Sequence, residues 1–541
     1  MPSHSIPSLV FAVLAFLTLP SSLIRTPAAA PPHPPATRPN LVYILTDDQG
    51  YGDVSSFHPT GRIRTPHLDR LAREGLRFTD AHSGSSVCTP TRYGILTGRY
   101  AWRSRLAQGV LGGLSPHLIP PDRLTLAAFL QSQGYRTACI GKWHLGMDWS
   151  VLPDRTINVL GIESRDQVWN VDFAQPIRNG PNPLGFHRFY GISASLDMVP
   201  YAYIENDRVT QVPDRDADFP WFHGRDRRTR RGPTAPGFDA MEVLPEFTRQ
   251  AVAFVEERAA DARAGRPFFL YLALASPHTP IVPTPEWQGH TRLNAYADFT
   301  VQTDAAIGEV LSALRRNGLE SSTLVAFAAD NGCSPEADFP ALAAAGHHPS
   351  GPFRGHKADI FEGGHRVPFI ARWPGRIPPG SHYPHPVSLN DLFATVADIL
   401  DQPLPPDTAE DSVSLRQVLF GTRSDPVRES IIHHSINGTF ALREGPWKLI
   451  LAPDSGGWSE PRPGSPAARD LPPVQLYHLE RDPGERDNLH AHHPEIVQRL
   501  VRLLEQDVAR GRSTPGPRQA NDRSVDIWRG HPPAVPSVSS R

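Results

Sequence analysis

Leu41-Val42-Tyr43-Ile44-Leu45-Thr46-Asp47-Asp48-Gln49-Gly50 is a short apolar run, rich in β-formers, that ends in two adjacent carboxylates. Such a run, without polar alternation, reads as a strand buried on both faces, the kind found in parallel sheets covered by helices. Carboxylates at its carboxyl end stand where open α/β sheets place the groups that meet ligands. The pattern recurs downstream. Residues 136–140 read as a strand running into Gly141-Lys142-Trp143-His144, and residues 268–274 as one running into Ser276-Pro277-His278. Residues 323–329 deliver Asp330-Asn331-Gly332. Between them lie predicted helices: one opened by Thr65 as cap with Pro66 in the first turn, one over 124–133 stopped by Gly134, and others over 245–263 and 293–316, the last stopped at Asn317-Gly318. Strands alternating with helices predict an α/β fold with a large, mostly parallel sheet sandwiched by helices.

After a predicted helix over 389–400 the pattern changes. Short strands at 430–435, 439–443, 447–451 and 475–479, followed by a helix at 495–510, predict a small C-terminal α+β domain. Residues 150–240 carry many Pro, Gly and Asp and the basic cluster Arg225 to Arg231, and read as loops draped over the sheet edge and the mouth of a site. The expected organisation is a main domain over 40–404, a small domain over 405–512 and a disordered tail over 513–541.

The ends and the composition bound the function. Met1 to Ala30 reads as an export signal, because its apolar run Leu9 to Leu19 is too short to span a bilayer and gives way to Ala28-Ala29-Ala30. Pro31 to Pro39 reads as a proline-rich spacer. The 541 residues hold 54 basic and 56 acidic side chains, a formal charge of -2, so nothing points to nucleic acid or to an acidic membrane surface. An exported chain with three cysteines, Cys88, Cys139 and Cys333, is not a disulfide scaffold, and the odd number leaves at least one thiol unpaired.

Four strand ends therefore present Asp47 and Asp48, Lys142 and His144, His278, and Asp330 with Asn331. One such residue alone reads as an ordinary turn. In a parallel sheet, however, these ends share an edge, and three carboxylates with one amide carbonyl form an all-oxygen donor set for a hard divalent ion such as calcium or magnesium. Lys142, His144, His278 and Lys357, the last in Arg354-Gly355-His356-Lys357, add cations and titratable groups. Cys88 stands at the entrance of a helix whose first turn holds Pro90, where free backbone N–H groups favour an anion. Together these describe a pocket for a tetrahedral oxyanion ester.

Cys88-Thr89-Pro90-Thr91-Arg92, continued by Leu96-Thr97-Gly98-Arg99, resembles the signature of the type I sulfatases, of the alkaline phosphatase superfamily. The similarity extends through Asp47-Asp48-Gln49-Gly50, Gly141 to Gly146, Ser276-Pro277-His278, Asp330-Asn331-Gly332, Lys357 with Glu362 to Pro368, and Leu476 to Glu485. It covers Asn40 to Leu504. The resemblance implies an alkaline phosphatase-like sulfatase fold and hydrolysis of a small aryl sulfate or a sulfated glycan to alcohol and inorganic sulfate. It implies that a separate formylglycine-generating enzyme converts Cys88 to formylglycine, whose hydrate is the nucleophile. Asp47, Asp48, Asp330 and Asn331 match calcium ligands, with residue 88 approaching the same ion. Arg92 matches the residue that holds the hydrate, with Lys142 nearby, and His144 the base that later deprotonates its spare hydroxyl. His278 and Lys357 match groups that bind sulfate and assist the leaving alcohol. Ser195, in Gly185 to Ser195, resembles a serine placed near the sulfate. Two alternatives stay open: a phosphate or phosphonate monoester hydrolase on the same scaffold, and a binding protein in which Cys88 is unmodified.

Overall fold

The computed structural model describes residues 1–2 and 38–530. The leader beyond Pro2, the spacer up to Thr37 and residues 531–541 lie outside the described residues. The Asn40–Thr46 strand is buried along its whole length and occupies the middle of an 11-stranded sheet. It pairs in parallel with Thr323–Ala329 on one side and with Phe268–Ala273 on the other. Arg136–Lys142 continues the parallel set beyond Phe268–Ala273, and Arg188–Ile192 follows it. Because all these strands are flanked by apolar layers, their side chains are apolar on both faces, which is why they read as continuous runs. Two core clusters occupy the two faces, one including Tyr43, Phe78, Phe269 and Phe369, the other Val42, Ile44, Leu270 and Phe327.

The parallel centre gives way to antiparallel pairing at both sides. Arg366–Arg372 runs antiparallel to Thr323–Ala329 and to Leu76–His82. Ile204–Glu205 runs antiparallel to Arg188–Ile192. The predicted helices are found as Pro66–Arg73, Leu126–Ser132, Val243–Arg263, Ala295–Arg316 and Leu392–Ile399. Thr65 does not cap with its side chain: its hydroxyl accepts from the Ser55 N–H at 3.0 Å, tying the helix entrance to the preceding loop.

A second, antiparallel sheet is formed by Ser430–His434, Phe440–Glu444, Trp447–Ile450 and Gln475–His478, with the Pro494–Ala509 helix against it. It does not stand apart: the chain from Arg38 onward gathers into one compact unit. Tyr100 and Trp102 pack with Ile432 and Phe440, and Ile360 and Phe361 with Ala441 and Ile450.

Residues 513–530, expected to belong to a disordered tail, follow a fixed path instead. Asp522 pairs with Arg99 at 3.0 Å, Asn521 accepts from Arg103 at 2.9 Å, and the Ser513 hydroxyl donates to Asp411 at 2.8 Å. Arg99 and Arg103 are fully buried and need such partners. Among the described residues no helix is long and apolar enough to cross a membrane.

Candidate active site

The sheet brings the predicted strand-end groups together at one edge. Asp47 and Asp48 follow the central strand directly, and Asp48 turns the chain with a φ of 63°, a left-handed conformation that Asp tolerates better than most residues. The backbone N–H of Asp330 donates to Thr46 at 3.0 Å, and that of Asp48 to Asp330 Oδ1 at 3.3 Å, so the two neighbouring parallel strands end in register. On the third strand, Gly141 approaches Ala273 so closely that a Cβ would lie 1.9 Å from its carbonyl oxygen. Only glycine fits there, and the Lys142 to His144 turn leaves the sheet from that point.

All three carboxylates meet buried cations. Lys142 Nζ lies 2.5 Å from Asp47 Oδ2, and Lys357 Nζ lies 2.6 Å from Asp48 Oδ1. Arg92 donates through Nε and Nη2 to Asp330 Oδ2 at 3.0 and 2.8 Å, and through Nη1 to the Lys142 carbonyl at 2.8 Å. Burial pushes the Asp47 carboxyl up, but Lys142, His278 and Arg92 outweigh it and hold it far below the usual range. Asp330 is pushed up by burial and by the charge of Asp47. Lys357 stays firmly protonated, because Asp48 and its other anionic neighbours overcome the cost of burial.

Cys88 begins the Cys88–Thr97 helix, as its sequence predicts, and is 2% exposed. Its sulfur lies within 4.8 Å of carboxylate oxygens of both Asp47 and Asp330. Burial pushes the thiol up despite Lys142 and Lys357, so as it stands residue 88 is a protonated thiol. His144 Nε2 is 2.8 Å from the Leu111 carbonyl, which can only accept, so Nε2 carries the proton. Nδ1 is then a bare lone pair, buried and without a partner. Burial, then Lys142, keep this imidazole neutral. His278 spends Nδ1 on the Thr279 carbonyl at 2.5 Å, leaving Nε2 3.6 Å from Asp48. Ser195 is buried, and its hydroxyl has no partner.

The donor set fits a hard cation. Asp47 Oδ1 and Asn331 Oδ1 are both buried and unpartnered, while the Asn331 amide donates to Asp48 at 2.7 Å. A buried oxygen without a partner is costly, and here two stand beside Asp48 and Asp330. Oxygen donors of this kind suit calcium or magnesium.

Residues that the sequence did not single out hold the carboxylate loop. Asp53 accepts from the Gly50 N–H at 2.7 Å, the Tyr296 hydroxyl at 2.5 Å and His347 Nε2 at 2.8 Å. The same Tyr296 hydroxyl lies 3.2 Å from the Asp48 carbonyl. His347 is fully buried in this anchor. No motif marks the anchor, because Tyr296 and His347 arrive from distant segments. The Arg225 to Arg231 cluster is engaged at the surface instead: Arg227 pairs with Glu336 at 2.9 Å and Arg230 with Asp197 at 3.1 Å.

Buried carboxylates and cations thus gather at the carboxyl edge of an α/β sheet, beside a helix entrance, in an arrangement whose donors suit a hard cation. A family model described as Sulfatase matches residues 39–402. The chain belongs to the sulfatase family and is a sulfuric ester hydrolase of that class. It is 32% identical to an N-acetylgalactosamine-6-O-sulfatase of Bacteroides thetaiotaomicron, over 86% of this chain and 93% of that one. To arylsulfatase A of Bos taurus it is 34% identical, over 91% of this chain and 90% of the other. A solved structure from work on the metabolism of multiple glycosaminoglycans by Bacteroides thetaiotaomicron superposes with a TM-score of 0.73 at 30% identity. It covers 87% of this chain and 99% of its own.

Proposed function

We propose that the chain hydrolyses the sulfate ester of a carbohydrate or an aryl alcohol, with residue 88 in its formylglycine form and a calcium ion held by Asp47, Asp48, Asp330 and Asn331. The observation that carries this reading is the convergence of the Cys88 helix entrance with three carboxylates and the buried cations Arg92, Lys142 and Lys357. When bound, the ion supplies a Lewis acid that draws charge from the sulfate oxygens and makes a nearby hydroxyl easier to ionise. The modification supplies residue 88 with the hydroxyl nucleophile that the buried thiol lacks.

The remaining roles belong to this chain's own side chains. Three carboxylates stand against three cations, so a bound dication leaves the centre positive and matched to an anionic ester. Lys142 and Lys357 neutralise the oxygens around sulfur as charge develops there. Arg92, braced on Asp330 and on the Lys142 carbonyl, keeps the helix entrance and the strand end at a fixed separation. The bare Nδ1 of His144 takes a proton from a hydroxyl of residue 88, and His278 Nε2 serves the departing oxygen. Ser195 contributes a free hydroxyl beside the sulfate. Conversion of Cys88 by a modifying enzyme and export on the 1–30 leader belong to the same proposal.

Two measurements test it on the full chain co-expressed with a formylglycine-generating enzyme. Mass spectrometry of the Cys88 peptide is expected to show the aldehyde; an intact thiol in an active preparation would refute the assigned nucleophile. Turnover of 4-nitrophenyl sulfate and of N-acetylgalactosamine 6-sulfate is expected to exceed turnover of 4-nitrophenyl phosphate. A strong preference for the phosphate would make the chain a phosphomonoester hydrolase on this scaffold.

A further inference from the structure

Lys357 sits on a turn that the second sheet grips from outside. Two residues on, Asp359 is fully buried, and its carboxylate collects three backbone N–H groups. Oδ2 accepts from His356 at 3.0 Å, while Oδ1 accepts from Trp458 at 2.8 Å and Ser459 at 3.0 Å. Trp458 and Ser459 belong to the loop between the Trp447–Ile450 and Gln475–His478 strands. The same loop accepts the Ile360 N–H at the Ser455 carbonyl, 2.8 Å away. Gly457 lies so close that a Cβ would stand 2.5 Å from both Asp359 Oδ1 and the Ala358 carbonyl. On its other side, Ala358 donates to the Ser86 carbonyl at 2.8 Å, two residues before Cys88. The loop is thus locked onto the backbone that carries Lys357 and abuts residue 88.

On this locked loop stands an exposed indole. Trp458 is 39% exposed, whereas Trp102 and Trp143 are completely packed away. Its main chain is fixed by a buried carboxylate while its ring is left to solvent. An aromatic ring on a rigid backbone offers a large, flat, amphipathic surface at little entropic cost. We propose that Trp458 is a stacking platform for the ring of the alcohol whose sulfate ester is cleaved, which makes the second sheet's loop a specificity element of the site. The inference rests on the sulfatase reading above. The chemistry recognised is the face of a ring, either an aryl ring or the C–H face of a sugar.

The test compares parent, Trp458→Ala and Trp458→Phe on 4-nitrophenyl sulfate and on N-acetylgalactosamine 6-sulfate. Loss of one stacking partner predicts a roughly tenfold higher KM in Trp458→Ala, with the change in KM rather than kcat and recovery in Trp458→Phe. The substrate on which the change is larger identifies the ring as aryl or sugar. An unchanged KM for both substrates in Trp458→Ala, with the parent active, would overturn the platform alone. A parent inactive on both esters would sink the proposed choice of aryl or carbohydrate sulfate ester and the platform with it.

Discussion

Two largely buried charge clusters lie one loop apart, and they differ in what they leave unsatisfied. At the candidate active site, Asp47, Asp48 and Asp330 face Arg92, Lys142 and Lys357. In the second cluster, Asp80, Glu362 and Glu485 face Arg366, Arg443 and Lys448. The formal balance is the same. In the first, however, lone pairs remain over on Asp47, Asn331 and His144, each buried and without a partner. In the second, all the charged groups and all but one of the imidazoles engage one another: Lys448 lies 3.0 Å from Glu362, 3.0 Å from His365 Nε2 and 2.8 Å from Glu485, and His82 lies 2.7 Å from Asp80. The second cluster also holds the loop that leads to Cys88, because the His365 carbonyl accepts the Ser83 N–H at 2.8 Å. Leftover acceptors suit the first cluster to the proposed chemistry, whereas the pairing in the second suits it to holding the loops in place.

Single substitutions should separate these two roles. Cys88→Ala is expected to lower kcat by on the order of 10⁴-fold or more, as loss of a nucleophile does, with melting and calcium binding little changed. Near-parental turnover would remove residue 88 from the chemistry. Lys448→Met should do the opposite. It leaves Glu485 buried without its cation and Glu362 with Arg366 alone, and removing one partner of a buried pair costs about 3–5 kcal/mol. Urea unfolding reads that loss, while kcat per folded molecule stays close to parental. If Lys448→Met instead abolished turnover at full stability, the second cluster would belong to the chemistry and the contrast would fail.

Much of the first cluster was legible in the sequence, for a physical reason. Asp47, His278 and Asp330 each follow a buried strand within a few residues and Lys142 ends one, so local pattern places all of them at one sheet edge once the sheet is parallel. The second cluster has no such marker. His82 ends one strand, His365 precedes another, and His433 and Lys448 sit inside strands of the other sheet. Their meeting depends on how the two sheets pack, which no local period encodes. The same holds for Tyr296 and His347 behind Asp53. The error over residues 513–530 has a related cause: Pro, Ser and Arg there look unable to form a core, yet Asn521 and Asp522 are the partners that buried Arg103 and Arg99 require.

The smallest expected effect concerns the exception within the second cluster. His433 stacks on His365 with centroids 3.9 Å apart, and neither of its ring nitrogens has a partner. Its neighbours are His365, His82, Lys448 and Glu362. Burial, reinforced by the other two imidazoles and Lys448, lowers its affinity for a proton well below the ordinary value. Below about pH 6.5 the unfolded chain protonates this histidine while the folded chain does not, so its contribution to stability falls as pH falls. His365 and His82 act in the same direction. Glu485 acts against them: burial raises it to about 7, so the folded chain takes up its proton first and gains stability as pH falls toward 4.5. A difference experiment isolates His433 from these opposing terms. His433→Leu should reduce the pH dependence of unfolding free energy between about pH 6.5 and 5 by close to one proton, or about 1.4 kcal/mol per pH unit. It should do so without loss of stability at pH 8, because an apolar side chain there leaves no ring nitrogen unpaired. An unchanged slope would mean that His433 meets water or a proton in the folded state, and the second cluster would then be no more closed than the first.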